Sequence, residues 1–231
     1  MNQNLDNLQE KIGVRFTNIN LLKEALTHRS YLNENPSWSE DNNERLEFLG
    51  DAVLELVMTE ELFNRFPEKE EGELTIYRAG MVNTKNLAAV AEEFGLAEQI
   101  LLSRGEAKSF AGRSRESISA DAVESLIGAL YLDQGHEAVK EFIDKFIVPG
   151  LDKIAKEGGK DPKSLVQEIA QSRYKVTPSY KVLSESGPAH ERIFKIGLYL
   201  GDKLKAEGQG SSKQEAETEA AKTLLQELKR F

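Results

Sequence analysis

Residues 43–52 read Asn-Glu-Arg-Leu-Glu-Phe-Leu-Gly-Asp-Ala, and this run places two acidic residues inside an apolar helix. The helix is predicted over residues 44–66, because apolar residues recur at three- and four-residue steps until a proline follows. Glu47 and Asp51 are four residues apart, so they share one helix face, among neighbours that would otherwise be core. Gly50 between them costs about 1 kcal/mol of helix stability relative to alanine, which favours close packing or access at this point.

A second pair of acids lies in another apolar run, residues 118–127. Asp121 and Glu124 are three residues apart there and again share one helix face. Burying an unpaired carboxylate is costly, so each pair must reach an edge, meet a basic side chain or bind a cation. Two interpretations stay open. The helices face each other and the four acids bind divalent cations, or each pair forms salt bridges with arginines such as Arg45, Arg78 or Arg115.

The metal interpretation makes a specific chemical prediction. Oxygen ligands without Cys or His suit Mg²⁺ or Mn²⁺. Two such ions can activate a water molecule and stabilise the leaving oxygen of a phosphodiester. The predicted metal ligands are Glu47, Asp51, Asp121 and Glu124.

Composition excludes several classes of protein. The 231 residues include no cysteine and three scattered histidines, which excludes a disulfide scaffold, a zinc site and thiol catalysis. No stretch approaches the roughly 20 apolar residues of a membrane-spanning helix, and the first residues lack the features of a signal peptide. We therefore expect a cytoplasmic protein. Its 30 basic and 39 acidic residues give a net charge of −9, which at first argues against nucleic acid as a partner.

The charge is unevenly distributed along the chain. Two glycines and a proline near residues 158–162 indicate a linker. Residues 1–157 carry 17 basic and 29 acidic residues, net −12, whereas residues 158–231 carry 13 and 10, net +3. We predict a domain over 1–156, a linker over 157–161 and a second domain over 162–231.

The two parts have different periodicities. The first is predicted to be all-α, with further helices over 21–26, 74–94, 118–133 and 138–147. The second is predicted to be α+β, in the order α-β-β-β-α. Its pattern gives a helix over 164–173, strands over 179–185, 194–200 and 203–207, a turn at 201–202, and a last helix opened by a capping box, Ser212 to Glu215.

Residues 43–52 closely resemble the signature of the ribonuclease III family. The resemblance extends to residues 25–31 and 120–129, and the second part resembles a double-stranded RNA-binding domain. It implies that Glu47, Asp51, Asp121 and Glu124 bind metal, with Asp51 and Glu124 as catalytic residues. Glu71, before a glycine, matches an acidic residue of the family's catalytic valley. Glu44 matches the first signature glutamate, near substrate or dimer interface, and His28 is expected to have a packing role.

The implied activity is Mg²⁺-dependent cleavage of double-stranded RNA, with Mn²⁺ as a substitute. Products would carry 5′-phosphate and 3′-hydroxyl ends with short 3′ overhangs, and the enzyme would be a homodimer that processes rRNA precursors and mRNA. The alternatives are a non-enzymatic duplex-RNA binder and a helical scaffold. Retention of all four acids disfavours the first, and the second does not explain acids inside apolar helices.

Three places in the second part are expected to contact duplex RNA, whose shape, 2′-hydroxyls and phosphates are what a protein can read. Gln167 and Glu168 would meet sugar hydroxyls, and His190 would enter the next minor groove. The start of the last helix would bind phosphates through Ser211, Ser212 and Lys213, because free N–H groups and the helix dipole favour anions. The family commonly has a second basic residue after the lysine. Gln214 stands there, which predicts weaker binding.

Overall fold

The chain forms two compact units, Met1–Gly159 and Lys160–Phe231. The computed structural model describes residues 4–151, 162–187 and 192–228. The predicted linker, 157–161, lies outside these described residues. Each unit has its own hydrophobic core.

The first unit is helical, as predicted. Thr27 and Leu101 form an isolated β-bridge, and short 3₁₀ turns lie at Ala97–Gln99 and Val148–Gly150. The helices are α1 (Leu5–Ile12), α2 (Ile19–Ala25), α3 (Arg29–Glu34), α4 (Glu44–Arg65), α5 (Glu71–Met81), α6 (Thr84–Phe94), α7 (Arg104–Ser109) and α8 (Gly112–Phe146).

The single helix predicted over residues 74–94 is wrong, because the structure divides it into α5 and α6. The side chain of Asn83 accepts a hydrogen bond from the N–H of Asn86, which starts a new helix at Thr84. Gly95 ends α6 in the left-handed conformation, at the position predicted.

α8 is longer than expected and contains the predicted interruption. It begins at Gly112, six residues before the start predicted from the apolar run. Gly135 has φ 81° and ψ −168°, so the helical backbone is interrupted there, near the predicted helix end, and α8 consists of two helices joined at a kink. The kink separates the two helices predicted over 118–133 and 138–147.

α4 and α8 form the centre of this core. Leu54, Val57 and Met58 of α4 and Val123 and Ile127 of α8 are at most 1% exposed. The spacing of these residues is that of the inward face of each helix, as the apolar pattern predicts. Pairing of these two helices therefore fixes the relative positions of the acids that they carry.

The second unit has the predicted α-β-β-β-α order. α9 (Pro162–Ile169) continues into a π-helical turn, Ala170–Tyr174. The strands β1 (Pro178–Ser186), β2 (Ile193–Leu200) and β3 (Lys203–Gly210) form an antiparallel sheet in the order β1-β2-β3. α10 (Lys213–Leu228) ends the described chain. Val166, Leu198, Ala220 and Leu224 are among the residues that join helices and sheet in one small core.

Candidate active site and RNA-binding surface

The two acid pairs lie on either side of a backbone contact between α4 and α8. A Cβ placed on Gly50 would lie 1.7 Å from the carbonyl oxygen of Glu124. A Cβ on Gly128 would lie 2.2 Å from the carbonyl oxygen of Leu46. Each glycine therefore permits a helix approach that any side chain would prevent. Glu47 and Asp51 come from one side of this contact, and Asp121 and Glu124 come from the other.

Burial and neighbouring carboxylates raise the pKa values of Glu124 and Glu47. Burial raises the pKa of Glu124 to about 7, and the charges of Asp51, Asp121 and Glu47 add to the effect. Burial also raises the pKa of Glu47, with further contributions from Asp121, Glu44 and Asp51. These effects act between α4 and α8, so the structure brings the predicted acids into one electrostatic cluster.

The ionisation of Asp121 is influenced by the charge of His28. Burial raises the pKa of Asp121, and the charge of His28 opposes this rise. His28 itself caps α3, because its Nδ1 accepts a hydrogen bond of 3.3 Å from the N–H of Ser30. Burial lowers the pKa of His28. The ring is thus held by the backbone, as expected of a packing role.

Salt bridges do not account for the cluster. Arg78 lies 3.4 Å from Glu55, and Arg115 lies 2.8 Å from Glu92 and 2.5 Å from Glu98. The charge of Arg45 acts on Glu24. Within residues 4–151, none of the four acids forms a salt bridge, so the described structure does not support the ion-pair interpretation.

A divalent cation fits the chemistry of this cluster. Its donors are carboxylate oxygens, which Mg²⁺ and Mn²⁺ prefer, and the raised pKa values of Glu47, Asp121 and Glu124 show a site whose negative charges are poorly compensated. The side chains are not already arranged as a ligand group. Within the described parts of the chain, no three acidic or histidine side chains stand where they could hold one ion together.

The two secondary candidates have other partners. Glu44 forms an ion pair of 3.3 Å with Arg29, and both side chains are more than half exposed. Glu71 begins α5 and accepts a hydrogen bond from the hydroxyl of Thr75. Glu44 therefore has a cationic partner, and Glu71 lies in a groove rather than in the carboxylate cluster.

An exposed apolar stripe on α4 was missed by the sequence analysis. Phe48, Leu56 and Phe63 are 82%, 52% and 70% exposed. The expectation that the neighbours of Glu47 and Asp51 are core is wrong for Phe48. The helical spacing in the sequence could have revealed this stripe, because Phe48, Leu56 and Phe63 lie on a second face of α4, away from Val53 and Val57. At the end of the stripe is a groove of about 570 Å³, lined by Leu62, Phe63, Phe66, Pro67, Leu74 and polar side chains that include Glu71 and Arg78.

In the second unit, the helix face predicted to contact RNA is exposed to solvent. Gln167 and Glu168 are exposed on α9, whereas the preceding Val166 is 1% exposed and packs in the core. His190, the third predicted RNA contact, lies outside the described residues.

The start of α10 has its own internal hydrogen bonds. The N–H of Glu215 donates to the hydroxyl of Ser212, at 3.2 Å. The carboxylate of Glu215 accepts from the N–H and the hydroxyl of Ser211, at 2.7 and 2.6 Å. This is the predicted capping box, with its return bond made to Ser211. Lys213 is exposed, and its Nζ lies 3.7 Å from Glu185.

No helix among the described residues is long and apolar enough to cross a membrane.

Two family models together match almost the whole chain. Residues 18–151 match the Ribonuclease-III-like model, and residues 162–228 match the double-stranded RNA binding motif. The Ribonuclease 3 of Borreliella afzelii is 43% identical over 225 residues, which are 97% of this chain and 91% of the relative. That of Enterococcus faecalis is 43% identical over 227 residues, 98% of each chain.

A solved structure matches the first unit. The nuclease domain of ribonuclease III from Campylobacter jejuni superposes with a TM-score of 0.58 and 40% sequence identity, covering 63% of this chain and 97% of that chain. The carboxylate cluster, the two domain matches and the relatives of full length agree with one another. The chain belongs to the ribonuclease III family and is a double-stranded RNA endoribonuclease, with one nuclease domain followed by one double-stranded RNA-binding domain.

Proposed function

We propose that Glu47, Asp51, Asp121 and Glu124 form the catalytic site and hold Mg²⁺, for which Mn²⁺ substitutes. The observation that carries this proposal is the set of four carboxylates around the Gly50–Gly128 contact, which form no salt bridge among the described residues and whose charges help to raise the pKa values of Glu124 and Glu47. A bound cation offsets the repulsion between these groups. Membership of the family agrees with a general requirement for a divalent metal.

The residues of the cluster have distinct roles in phosphodiester hydrolysis. When bound, Mg²⁺ would supply an activated water and a counter-charge for the leaving oxygen. Glu47 and Asp121 are ligands. Asp51 is exposed, so its carboxylate reaches substrate as well as metal. Glu124 is fixed on α8 as both ligand and catalytic residue; without metal its pKa is raised to about 7, and a bound cation would lower that pKa and favour the carboxylate. Products then carry 5′-phosphate and 3′-hydroxyl ends with short 3′ overhangs.

The second domain holds the duplex. Gln167 and Glu168 meet sugar hydroxyls in one minor groove, and His190 enters the next. Ser211, Ser212 and Lys213 contact phosphates across the major groove. The exposure of Gln167, Glu168 and Lys213 supports this assignment, and so does the position of Lys213 at a helix N-terminus, where anions bind. The duplex is thereby positioned for the nuclease domain.

The active enzyme is a homodimer that pairs through α4. Phe48 near the start of the helix and the groove near its end are separated by 15 residues, or about 22 Å. A twofold axis across two antiparallel α4 helices would place Phe48 of each copy at the groove of the other, as in a self-complementary interface. The Campylobacter jejuni nuclease domain shows structural flexibility in a region involved in dimer formation. A dimer supplies one cluster for each RNA strand.

The remaining assignments follow from the same site. Glu44 and Glu71 lie beside the cleavage site, near substrate or the partner copy. The nuclease domain spans residues 1–156, the linker 157–161 and the RNA-binding domain 162–231. Processing of rRNA precursors and mRNA in the cytoplasm is the corresponding cellular role.

A single cleavage assay tests the proposed chemistry. A long, perfect RNA duplex and a single strand of the same sequence are incubated with the full-length chain in Mg²⁺, Ca²⁺ or EDTA. We expect cleavage of the duplex alone, in Mg²⁺ alone, with 5′-phosphate termini. Equal cleavage in EDTA would contradict the metal site, and equal cleavage of the single strand would contradict the substrate assignment.

A further inference from the structure

The RNA-binding domain contains a carboxylate next to its predicted phosphate contact. Glu185 lies near the end of β1 and is paired across the sheet with Phe194 of β2. Its Oε1 lies 3.7 Å from the Nζ of Lys213 at the start of α10. The same ammonium lies 5.7 Å from the centre of the Phe194 ring. A carboxylate and an aromatic face thus attract the cation that would otherwise extend towards RNA.

Glu185 also attracts a second cation. The Nη1 of Arg192 lies 3.8 Å from the other oxygen of the Glu185 carboxylate. The side chain of Lys213 is 59% exposed, that of Arg192 is 48% exposed and that of Glu185 is 40% exposed. Ion pairs with such exposure and separation are weak and exchange readily with other anions. The carboxylate therefore lowers the positive potential of both side chains without holding either permanently.

The rest of the helix start adds little positive charge. Lys213 is followed by the uncharged Gln214 and then by Glu215. The carboxylate of Glu215 accepts from the N–H and hydroxyl of Ser211, so an anion of the protein already uses donors that a phosphate would need. Lys213 is thus the basic side chain on which phosphate binding at this helix turn depends.

We propose that Glu185 competes with RNA phosphate for Lys213 and thereby weakens the affinity of the enzyme for duplex RNA. Binding replaces the Glu185 carboxylate beside Lys213 with a phosphate, which leaves Glu185 close to the negatively charged backbone. Glu185 thus limits non-specific retention on duplexes and on cleaved product. This inference rests on the proposed contact between Lys213 and phosphate.

The experiment is a double-mutant cycle in duplex binding. The full-length chain, Glu185→Gln, Lys213→Ala and the double variant are titrated with a perfect RNA duplex in Ca²⁺, at several salt concentrations. Exposed ion pairs contribute up to about 1 kcal/mol, so Glu185→Gln should tighten Kd about two- to fivefold. The slope of log K against log salt should steepen by up to about 0.9, the value for one additional phosphate contact.

Glu207→Gln is the matched control. Glu207 lies on β3, between the buried Ala206 and Gly208, so it faces the side of the sheet away from α10. It pairs with Lys195 at 2.6 Å, and its side chain is 41% exposed, close to the value for Glu185. The substitution therefore makes the same change in net charge without altering the surroundings of Lys213. Thermal unfolding of each variant checks that the fold is retained.

Each outcome has one meaning. Tighter binding by Glu185→Gln than by Glu207→Gln, with the gain lost in the Lys213→Ala background, supports competition. Equal gains from both glutamine variants overturn the inference, because net charge alone would then explain them. Weaker binding by Glu185→Gln also overturns it, since Glu185 would then position Lys213. If Lys213→Ala binds as the unchanged chain does, the proposed RNA contact itself is wrong.

Discussion

The carbonyl oxygen of Glu124 occupies the place that a side chain on Gly50 would need: a Cβ there would lie only 1.7 Å from it. This relationship joins the fold to the chemistry. The backbone of Glu124, which also carries one of the acids, contacts α4 at Gly50. The absence of a side chain on Gly50 therefore sets the distance between the two acid pairs.

Gly50→Ala should therefore reduce both stability and activity. Since the clash involves backbone atoms, the helices must separate, and overpacking of this kind costs about 1–3 kcal/mol. Displacement of catalytic groups by about 1 Å can lower the rate about 100-fold. Thermal unfolding and duplex cleavage in Mg²⁺ are the measurements. Gly72→Ala on α5 is the control, because a Cβ there meets nothing within 4 Å. Unchanged cleavage by Gly50→Ala would contradict the role of the contact.

Glu124→Gln should abolish cleavage while duplex binding persists. The substitution keeps the shape of the side chain but removes a carboxylate from the proposed site, so turnover in Mg²⁺ should fall by at least about 100-fold, as for loss of an essential acid–base group. Cleavage rate and duplex Kd are measured together. Glu116→Gln, on the exposed face of the same helix, should behave as the unchanged chain. Normal turnover by Glu124→Gln would remove this residue from the mechanism.

The raised pKa of Glu124 also predicts how stability depends on pH in EDTA. In the folded protein the group keeps its proton up to about pH 7, above its ordinary value of 4.5. Its favourable contribution to the free energy of unfolding is therefore complete below about pH 4.5, and this contribution is lost as the pH rises through 7. Glu124→Gln should then raise the unfolding temperature at pH 8 more than at pH 5, relative to the unchanged chain. If the unfolding temperatures of Glu124→Gln and the unchanged chain differ equally at pH 5 and pH 8, burial of the Glu124 carboxyl does not affect stability.

Ser119 is a buried position with an unused hydroxyl. Its side chain is 1% exposed, and its Oγ has no hydrogen-bond partner in the described structure. Such a group costs about 1–3 kcal/mol. Ser119→Ala should raise the unfolding temperature by about 2–4 °C for each kcal/mol recovered, with cleavage unchanged. Ser125→Ala is the comparison, because that hydroxyl donates at 2.8 Å to the carbonyl of Asp121. Ser125→Ala should lower the unfolding temperature. If both substitutions raise it, the difference between an unpaired hydroxyl at Ser119 and a hydrogen-bonded one at Ser125 does not determine stability.

Phe48→Glu should convert the proposed homodimer to a monomer. Phe48 is 82% exposed on α4, and a charge placed in the apolar groove of the partner copy is costly. Sedimentation equilibrium measures the association. Leu204→Glu, at a residue that is 45% exposed in the second unit, controls for loss of exposed apolar surface. A dimer of unchanged affinity in Phe48→Glu would exclude pairing through this face.

Much of the fold follows from local patterns in the chain. The apolar periodicity located α4, the Gly201-Asp202 dipeptide between two alternating runs located the turn, and the residue types of Ser212 to Glu215 located the capping box at the start of α10. The break at Asn83 was missed because apolar spacing continues across it, while a single cap hydrogen bond decides where α6 begins. Phe48 was misplaced because periodicity identifies apolar faces but not what covers them.

In the candidate site, too, local spacing predicts some features and tertiary packing decides the others. The helical spacing of Glu47 and Asp51 placed them on one face without any structure. Their approach to Glu124, the position of Arg78 beside Glu55, and the contact between Glu185 and Lys213 join residues far apart in the chain. These depend on tertiary packing, so the choice between a metal cluster and salt bridges could not be made from spacing.

Metal binding tests the central claim most directly. Mn²⁺ is titrated calorimetrically into the full-length chain and into Asp51→Asn and Asp121→Asn, one substitution on each of α4 and α8, with Glu116→Gln as control. If the four carboxylates hold the ion, both asparagine variants should lose at least about tenfold in affinity and lose cleavage in parallel, while the control retains both. Unchanged Mn²⁺ affinity in both asparagine variants would contradict a metal site between these helices.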